Sequence, residues 1–345
     1  MHEIVFFYPE GHQAHNEPGH PERPERVEAI KDALDGVGWW QPYPQLLPLP
    51  VKENVLNSIH SPAYLSTLSR ICRRGEHYDI DTYTTPQTWE LAHLAAGGAC
   101  AVAGEVWKGS ARSGFALTRP PGHHATRSSA MGFCVLNNIA IAAQFLIQEH
   151  GARRLAIIDL DLHHGNGTQN IFYDRPEVFY ISTHQSPLYP GTGRLEETGE
   201  VAGLGTTANF PLPPFSGDRA FQAVLEELIL PLLHRFEPEM ILVSYGFDPH
   251  WSDPLGNLRL SAEGYGKLIQ SLVTFSESYC LGRIALFLEG GYNLDAARAC
   301  SIAVTAALLR VPSLQMSGPA WGPAPGGEGN EWMNLIKKAK GLWQI

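Results

Sequence analysis

A carboxylate and an imidazole alternate where a short apolar run ends, in the segment spanning residues 158–168. Asp161 and His163 are two residues apart, so at strand spacing both side chains project from the same face. Together they suit a borderline divalent ion such as Zn²⁺, which takes a third protein ligand and keeps a fourth position for water. Asp248, which follows another apolar run, is the candidate for that third ligand. The pattern therefore predicts a metal site.

Two adjacent histidines, His123 and His124, lie on a loop stiffened by proline and glycine. Imidazole titrates near neutral pH, so such a pair can handle protons. Asp159 and Asn166 are candidate partners that would fix the two tautomers. A carboxylate stabilises a protonated imidazole far more than an amide does. We therefore expect the two histidines to differ in pKa and in role.

A tyrosine, Tyr292, follows two glycines at the end of another apolar run. A tyrosine on such a turn can aim its hydroxyl at a developing oxyanion opposite a metal. Tyrosines more often serve as core residues, but a position directly behind Gly290 and Gly291 is unusual in a core. The placement indicates an oxyanion donor.

Short apolar runs alternate with longer segments of helical spacing along the chain. The predicted strands are Ile4–Tyr8, Phe115–Thr118, Leu155–Asp159, Val178–Thr183, Met240–Tyr245 and Ile284–Leu288. The predicted helices are Pro24–Val37, Pro86–Lys108, Asn137–Glu149, Asp218–Phe236, Ala262–Cys280 and Leu294–Leu309, with a kink at Pro231. Such alternation is typical of an α/β fold with a mostly parallel central sheet and helices on both faces.

The polar clusters all follow predicted strands, and the functional crevice of such sheets lies beyond the carboxyl ends of the strands. We therefore expect four distant segments to meet at one edge. The whole chain, residues 1–345, is predicted to form a single domain. Residues 312–329 are rich in proline and glycine and are predicted to be irregular, and residues 330–342 are predicted to form a closing helix.

Composition limits the partners. The 345 residues are 44% hydrophobic and 17% charged, which allows a large core, and the formal charge is −10. That charge argues against direct nucleic-acid binding and suits cationic substrates such as lysine-rich peptides or polyamines. The five cysteines form no C-x-x-C pair, which is typical of reduced thiols. With no signal peptide and no long apolar stretch, we expect a cytoplasmic protein without membrane contact.

Eight short motifs extend this interpretation: H-P-E-R-P-E-R from residue 20, P-P-G-H-H-A, M-G-F-C-V-L-N-N, D-L-D-L-H-H-G-N-G-T, Y-P-G-T-G, G-F-D, D-P-L-G and E-G-G-Y-N. With them the chain resembles the zinc-dependent histone deacetylase and acetylpolyamine amidohydrolase family, which has the arginase–deacetylase fold. Asn166 and Glu289 are more similar to the class II branch and its bacterial relatives.

The resemblance implies a hydrolase that uses metal-activated water to split an N-acetyl amide into a free amine and acetate. Asp161, His163 and Asp248 would hold one Zn²⁺ or Fe²⁺. His124, facing Asn166, would act first as base and then as acid, and His123, paired with Asp159, would act electrostatically. Tyr292 would polarise the acetyl carbonyl.

The resemblance also implies three further groups of residues. A substrate tunnel would be lined by Gly132, Phe133, Tyr189 and Leu255. A structural K⁺ or Na⁺ would lie near Asp159, Asp161, His163, Ser182 and Thr183. An acetate exit path would involve Arg26, Gly290 and Gly291.

The chain departs from the family pattern at the tunnel mouth. Tyr189 stands where phenylalanine is common, which adds a hydroxyl. Leu255 stands where one polyamine-specific branch has a glutamate, which weakens the case for a polyamine. The segment before Thr85 also lacks the long dimer-forming insertion of some relatives. The substrate stays open between an acetylated lysine peptide or protein and an acetylpolyamine, and no oligomeric state is predicted.

Two other functions share part of this residue pattern. An arginase-like hydrolase with two Mn²⁺ ions would need carboxylates where Gly165 and His250 stand, so the sequence predicts one catalytic ion. A catalytically inactive acetyl-lysine binder would not need Tyr292 or the histidine pair, and all three are present.

Overall fold

The fold is a single α/β domain built on one seven-stranded parallel sheet, in a computed structural model that describes residues 1–312 and 320–345. The strands are β1 (His2–Phe7), β2 (Ala111–Ala116), β3 (Leu155–Asp159), β4 (Val178–Gln185), β5 (Thr207–Leu212), β6 (Met240–Tyr245) and β7 (Ile284–Leu288). Their spatial order is β1-β2-β7-β6-β3-β4-β5. Every pair of neighbours is parallel.

Helices cover both faces of the sheet. They are α1 (Glu25–Gly36), α2 (Glu53–Ile59), α3 (Pro62–Arg74), α4 (Thr88–Trp107), α5 (Asn138–His150), α6 (Asn166–Phe172), α7 (Asp218–Val224), α8 (Leu230–Phe236), α9 (Ala262–Tyr279), α10 (Leu294–Leu309) and α11 (Trp332–Trp343). One core lies between the sheet and α1 with α7–α11, and the other between the sheet and α2–α6. The interior strands are buried on both faces, so they are continuously apolar instead of alternating.

The expected α/β class, parallel sheet and two helical layers are confirmed. Strands β3, β6 and β7 have the predicted bounds, whereas β2 begins and ends earlier than predicted. The sequence interpretation missed the edge strand β5, the seven-residue helices α2 and α6, and the thirteen-residue helix α3. Around Pro231 the long predicted helix contains a turn of π-helix, Leu225–Ile229, between α7 and α8.

The proline- and glycine-rich stretch predicted to be irregular falls partly outside the described residues, at positions 313–319. The described part, residues 320–329, contains turns and bends without a helix or strand. Helix α11 follows and packs its buried residues against the core that contains α7–α10.

The four central strands carry the candidate site. β2, β7, β6 and β3 are consecutive neighbours in the sheet. The loops that leave their carboxyl ends contain the two histidines, Tyr292, Asp248 and the Asp161–His163 pair. The four segments therefore meet at one edge because the strands that precede them are adjacent.

Candidate active site

The side chains of Asp161, His163 and Asp248 converge at this edge, and all three are buried. Their candidate ligand atoms all lie within 4.8 Å of one another. The Nδ1 atom of His163 lies 3.1 Å from Asp161 Oδ1 and 3.2 Å from Asp248 Oδ2. Two carboxylates and one imidazole form a donor set suited to a divalent transition metal, although it does not distinguish Zn²⁺ from Fe²⁺.

Backbone groups hold these carboxylates from behind. Asp161 Oδ2 accepts the N–H of Gly290 (2.8 Å), and Asp248 Oδ1 accepts the N–H of Leu162 (3.1 Å). The remaining oxygen, Asp248 Oδ2, is buried, and apart from the 3.2 Å contact with His163 Nδ1 it has no hydrogen-bond partner. A β-carbon at Gly246 or Gly290 would overlap carboxylate oxygens of Asp161 and Asp248. An unsatisfied buried oxygen inside such a cradle fits a bound cation.

Burial and charge act in opposite directions on the pKa of His163. Burial lowers this pKa, but the carboxylates of Asp161 and Asp248 outweigh burial and raise it to about 9. For Asp161, burial raises the pKa, and His123 with His163 lowers it well below the usual range. In the metal-free protein the His163 imidazole is therefore protonated, and a bound metal cation would replace that proton.

The two adjacent histidines face different partners. His123 Nδ1 lies 3.1 Å from Asp159 Oδ2, and His124 Nδ1 lies 2.8 Å from Asn166 Oδ1. Burial lowers the pKa of His123, but Asp161 and Asp159 together raise it to about 10. The pKa of His124 is lowered well below its usual value by burial and by the neighbouring His123 and His163. One imidazole is therefore charged and the other is neutral at pH 7.

The turn that carries Tyr292 is held from two sides. The guanidinium of Arg26 donates to the carbonyls of Glu289 and Gly291 and lies 5.0 Å from the centre of the Tyr292 ring. On the other side, Asp253 accepts the N–H of Tyr292 at 2.7 Å. Burial raises the pKa of Tyr292 well above its usual value, so its hydroxyl stays protonated and can donate at neutral pH.

Aromatic rings surround the approach to this centre. Tyr189, 38% exposed, has its ring centre 5.2 Å from that of His124, and Phe133 has its ring centre 5.8 Å from that of Tyr292. Phe133 has a φ of 68°, which is unusual for a bulky residue and holds its ring beside the approach. Gly132 precedes it, and a β-carbon there would press on the ring of His124. Leu255 is half-buried against the core nearby.

The residues proposed for a monovalent cation are brought together by strand register. Ser182 on β4 pairs with Asp159 on β3. The hydroxyl of Ser182 lies 2.9 Å from His184 Nδ1, and the hydroxyl of Thr183 is buried without a hydrogen-bond partner. Asp159 Oδ1 accepts the N–H of Asp161 at 3.2 Å. Asp159 and Ser182 therefore lie next to the Asp161–His163 segment, whereas the side chain of Thr183 projects from the opposite face of the sheet.

The position that would hold a second catalytic ion has other contacts. His250 Nε2 lies 2.7 Å from the carbonyl oxygen of Ala320, and its Nδ1 lies 2.9 Å from the hydroxyl of Ser252. A β-carbon at Gly165 would overlap Asp159. Within residues 1–312 and 320–345, the only other cluster of potential ligands is His123, Cys134 and Glu289.

Glu289 in that second cluster accepts hydrogen bonds from three groups of the protein, a role that the sequence interpretation missed. Its Oε2 accepts the N–H groups of Gly122 (2.7 Å) and His123 (3.0 Å), and its Oε1 accepts the hydroxyl of Ser244 (3.2 Å). Burial raises the pKa of Glu289 to about 7. Its place in the E-G-G-Y-N motif was the available signal, but the motif does not show what the carboxylate contacts.

A parallel sheet with a buried two-aspartate, one-histidine cluster, two histidines and a tyrosine at its carboxyl edge defines a hydrolase of the arginase–deacetylase fold. The model of the histone deacetylase domain matches residues 20–308. The chain therefore belongs to the histone deacetylase family, whose members are hydrolytic and generally metal-dependent.

Individual relatives agree with this assignment. A probable deacetylase of Archaeoglobus fulgidus is 41% identical over 85% of this chain and 82% of its own length. A histone deacetylase-like amidohydrolase of Pseudomonas aeruginosa is 35% identical over 86% of this chain and 78% of its own. The crystal structure of the HDA15 HD domain superposes with a TM-score of 0.88 at 31% identity, over 99% of this chain and 95% of that one.

Proposed function

We propose that this protein is a zinc-dependent deacetylase that hydrolyses an N-acetyl amide to a free amine and acetate. The observation that carries the proposal is the buried cluster of Asp161, His163 and Asp248, whose candidate ligand atoms all lie within 4.8 Å of one another. One ion held by these three residues, Zn²⁺ or Fe²⁺, would supply a Lewis acid that lowers the pKa of water to about 7 and polarises a carbonyl.

His124 is assigned the proton transfers. Because its Nδ1 donates to the oxygen of Asn166, its Nε2 is left to take a proton from the attacking water. The lowered pKa keeps this imidazole neutral and ready to act as a base. The same nitrogen then returns the proton to the leaving amine. His123, charged beside Asp159, contributes a fixed positive charge next to the developing negative oxygen.

Tyr292 is assigned to the acetyl carbonyl. Its hydroxyl stays protonated and would donate a hydrogen bond that strengthens as the carbonyl oxygen becomes negative. Phe133 and Tyr189 would wall the aliphatic chain of the substrate, and the carbonyl of Gly132 would accept the substrate N–H. Leu255 would contact it at the rim, and Arg26 with Gly290 and Gly291 would line the acetate path.

The substrate that fits this arrangement is a primary amine acetylated at the end of a flexible chain. An acetyl-lysine residue of a peptide or protein and an acetylated polyamine both meet that description. A K⁺ or Na⁺ ion near Asp159, Ser182 and Thr183 would serve structure, and the pairing of Ser182 with Asp159 across β4 and β3 supports this position.

A cytoplasmic location is part of the proposal. All five cysteines are unpaired and buried, as is common in reducing compartments. No helix of the described ranges has both the length and the apolar character required to cross a membrane.

The deciding experiment compares kcat/KM for an acetyl-lysine peptide, acetylspermidine and acetylputrescine. Protein stripped with a chelator should be inactive, and one equivalent of Zn²⁺ should restore turnover of at least one substrate. Fe²⁺ reconstitution under anaerobic conditions tests the other metal. Activity that survives complete metal removal, or no turnover of any of the three with either metal, would overturn the proposal.

A further inference from the structure

The carboxylate of Asp253 lies between the turn of Tyr292 and the rim of the approach. Its Oδ2 accepts the N–H groups of Tyr292 (2.7 Å) and Asn293 (3.1 Å). Its Oδ1 accepts the N–H of Leu255 (3.1 Å). One side chain therefore joins the loop after β6 to the loop after β7.

This carboxylate is held by dipoles alone. Asp253 is 5% exposed, and no ion pair of the described residues involves it. Burial, followed by the charge of Asp248, raises the pKa of Asp253 to about 7. A buried carboxylate without a neighbouring cation is unfavourable by itself. Here the three backbone N–H groups that donate to Asp253 offset part of that cost, and the carboxylate in turn holds them in place.

The turn it contacts has little stiffness of its own. Tyr292 follows Gly290 and Gly291, and Gly291 has a φ of 109°, which other residues rarely adopt. Arg26 holds the carbonyl side of this turn, whereas Asp253 holds the N–H groups of Tyr292 and Asn293. Asn293 then caps α10 by accepting the N–H groups of Asp295 and Ala296. The direction of the tyrosine ring thus depends on contacts from outside the turn.

We propose that Asp253 is a positioning residue that fixes the hydroxyl of Tyr292 for catalysis and ties it to Leu255 at the rim. The inference rests on the proposed function of Tyr292. Asp253 acts through the tyrosine backbone and takes no part in bond making. Its loss should therefore reduce turnover only while the tyrosine hydroxyl is present.

A double-mutant cycle tests this dependence. We expect Asp253→Ala, which removes both acceptor oxygens, to lower kcat by about tenfold or more, with KM changed by less than about threefold and metal content unchanged. In a Tyr292→Phe background the same change should cost less than about twofold. Equal losses in both backgrounds would show a general structural role and would overturn the proposal.

A second measurement does not depend on turnover. Amide hydrogen exchange of the metal-loaded protein should speed up at residues 291–293 in Asp253→Ala, while β3 and β6 keep the protection of the unmodified protein. If the unmodified protein lacked deacetylase activity, the proposed function would fail. Faster exchange at residues 291–293 would still show that Asp253 holds the turn of Tyr292. Unchanged exchange at residues 291–293 would overturn it.

A matched control is Asp218→Ala. Asp218 also accepts two hydrogen bonds from one loop residue, the N–H and hydroxyl of Ser261, each at 2.7 Å, and it lies outside the candidate site. We expect its kcat to stay within about twofold. If Asp253→Ala does not fold, Asp253→Ser enters the same cycle, with a short side chain that keeps one acceptor oxygen. A loss in kcat that is the same with and without the tyrosine hydroxyl would again overturn the proposal.

Discussion

Asn166 Oδ1 lies 2.8 Å from His124 Nδ1, so an amide, and no carboxylate, faces the second histidine of the pair. His123, by contrast, lies 3.1 Å from a carboxylate oxygen of Asp159. The two imidazoles differ in charge because their partners differ and because the charged His123 lies next to His124. The amide thus keeps the proposed base neutral.

Asn166→Asp should therefore make His124 a stronger base that is protonated at higher pH. A carboxylate at this distance raises an imidazole pKa by about one unit or more. Since a base acts in its neutral form, the acidic limb of the kcat/KM profile should move to higher pH by a similar amount. An acidic limb in the same place as that of the unmodified protein would contradict the pairing.

Tyr292→Phe should keep the metal and lose about a hundredfold or more in kcat, because the variant lacks one donor to the developing oxyanion. The Phe133 and Arg26 contacts with the ring do not require the hydroxyl. Metal content by elemental analysis is the control, and turnover of an acetyl-lysine peptide is the measurement. Turnover near that of the unmodified protein would remove the hydroxyl from the mechanism.

Metal affinity should rise with pH. In the metal-free protein His163 has a pKa of about 9, so below that pH a proton must leave before the imidazole can bind a metal. We expect the apparent association constant for Zn²⁺ to increase about tenfold per pH unit between pH 6 and 8, and to level off above about pH 9. Competition with a chromophoric chelator, corrected for its own protonation, measures this slope. Affinity that does not change with pH would contradict a protonated His163.

The matched variant for this measurement is Asp161→Ala. It removes one carboxylate ligand, so it should lose most of the bound metal at every pH. Full occupancy in this variant would contradict the assignment of Asp161 as a ligand.

Acid should destabilise the fold below about pH 6.5. Burial lowers the pKa of several histidines outside the ligand cluster: to about 4 for His12 and His60, and to about 3 for His15. Between their ordinary value of 6.5 and about 4, the unfolded chain binds protons that the folded chain does not. The free energy of unfolding therefore falls as pH falls, by about 1.4 kcal/mol per pH unit for each such histidine.

The sign is opposite for His123 and His163, whose pKa values are raised. Their contribution is complete below pH 6.5, so they do not alter the slope there. Glu289 and Asp253, whose pKa values burial raises to about 7, bind protons in the folded chain first, so each reduces the slope by about 1.4 kcal/mol per pH unit between about pH 7 and 4.5. Urea unfolding of metal-free protein at several pH values measures it. His60→Gln, in which the amide oxygen can accept the N–H of Asn137 that His60 Nε2 now accepts at 3.0 Å, should make the dependence shallower by one proton. An unchanged slope in that variant would exclude His60 as a contributor.

Glu289 should tolerate an amide but not a truncation. Glu289→Gln keeps an oxygen for the N–H groups of Gly122 and His123, whereas Glu289→Ala leaves both, with the Ser244 hydroxyl, unsatisfied. We expect the alanine variant to lose about 1–3 kcal/mol of unfolding free energy and the glutamine variant to lose less. Denaturant titration of both variants measures the difference. Equal losses would show that the hydrogen bonds accepted by Glu289 do not stabilise the fold.

The sequence predicted the fold best where burial is continuous. Strands β3, β6 and β7 each contain at least four consecutive apolar residues and have both faces covered, so their ends were easy to locate. Strand β5 was missed because Asn209 and Pro211 interrupt its pattern, which is tolerated at the edge of a sheet. Helices α2 and α6 have only seven residues each, too short for a clear helical period.

The candidate site followed the same logic. Residues that come directly after strands, such as His163 and Tyr292, could be brought to one edge by topology alone. The contacts of Asp253 and Glu289 could not be inferred in that way, although these residues begin the D-P-L-G and E-G-G-Y-N motifs. Both carboxylates accept backbone N–H groups of other loops, and those partners depend on how the loops fold, which no residue type reveals.

The order of the strands places the candidate site in the interior of the sheet, away from its two edge strands. The four strands that lead into the ligand cluster, the histidines and the tyrosine lie side by side within the sheet, and β1 and β5 form its two outer edges. Insertions that follow β1 or β5 can lengthen the chain around the approach without shifting the interior strand ends. Descendants of such a chain can therefore acquire new recognition surfaces at the margins while inheriting the same reaction centre.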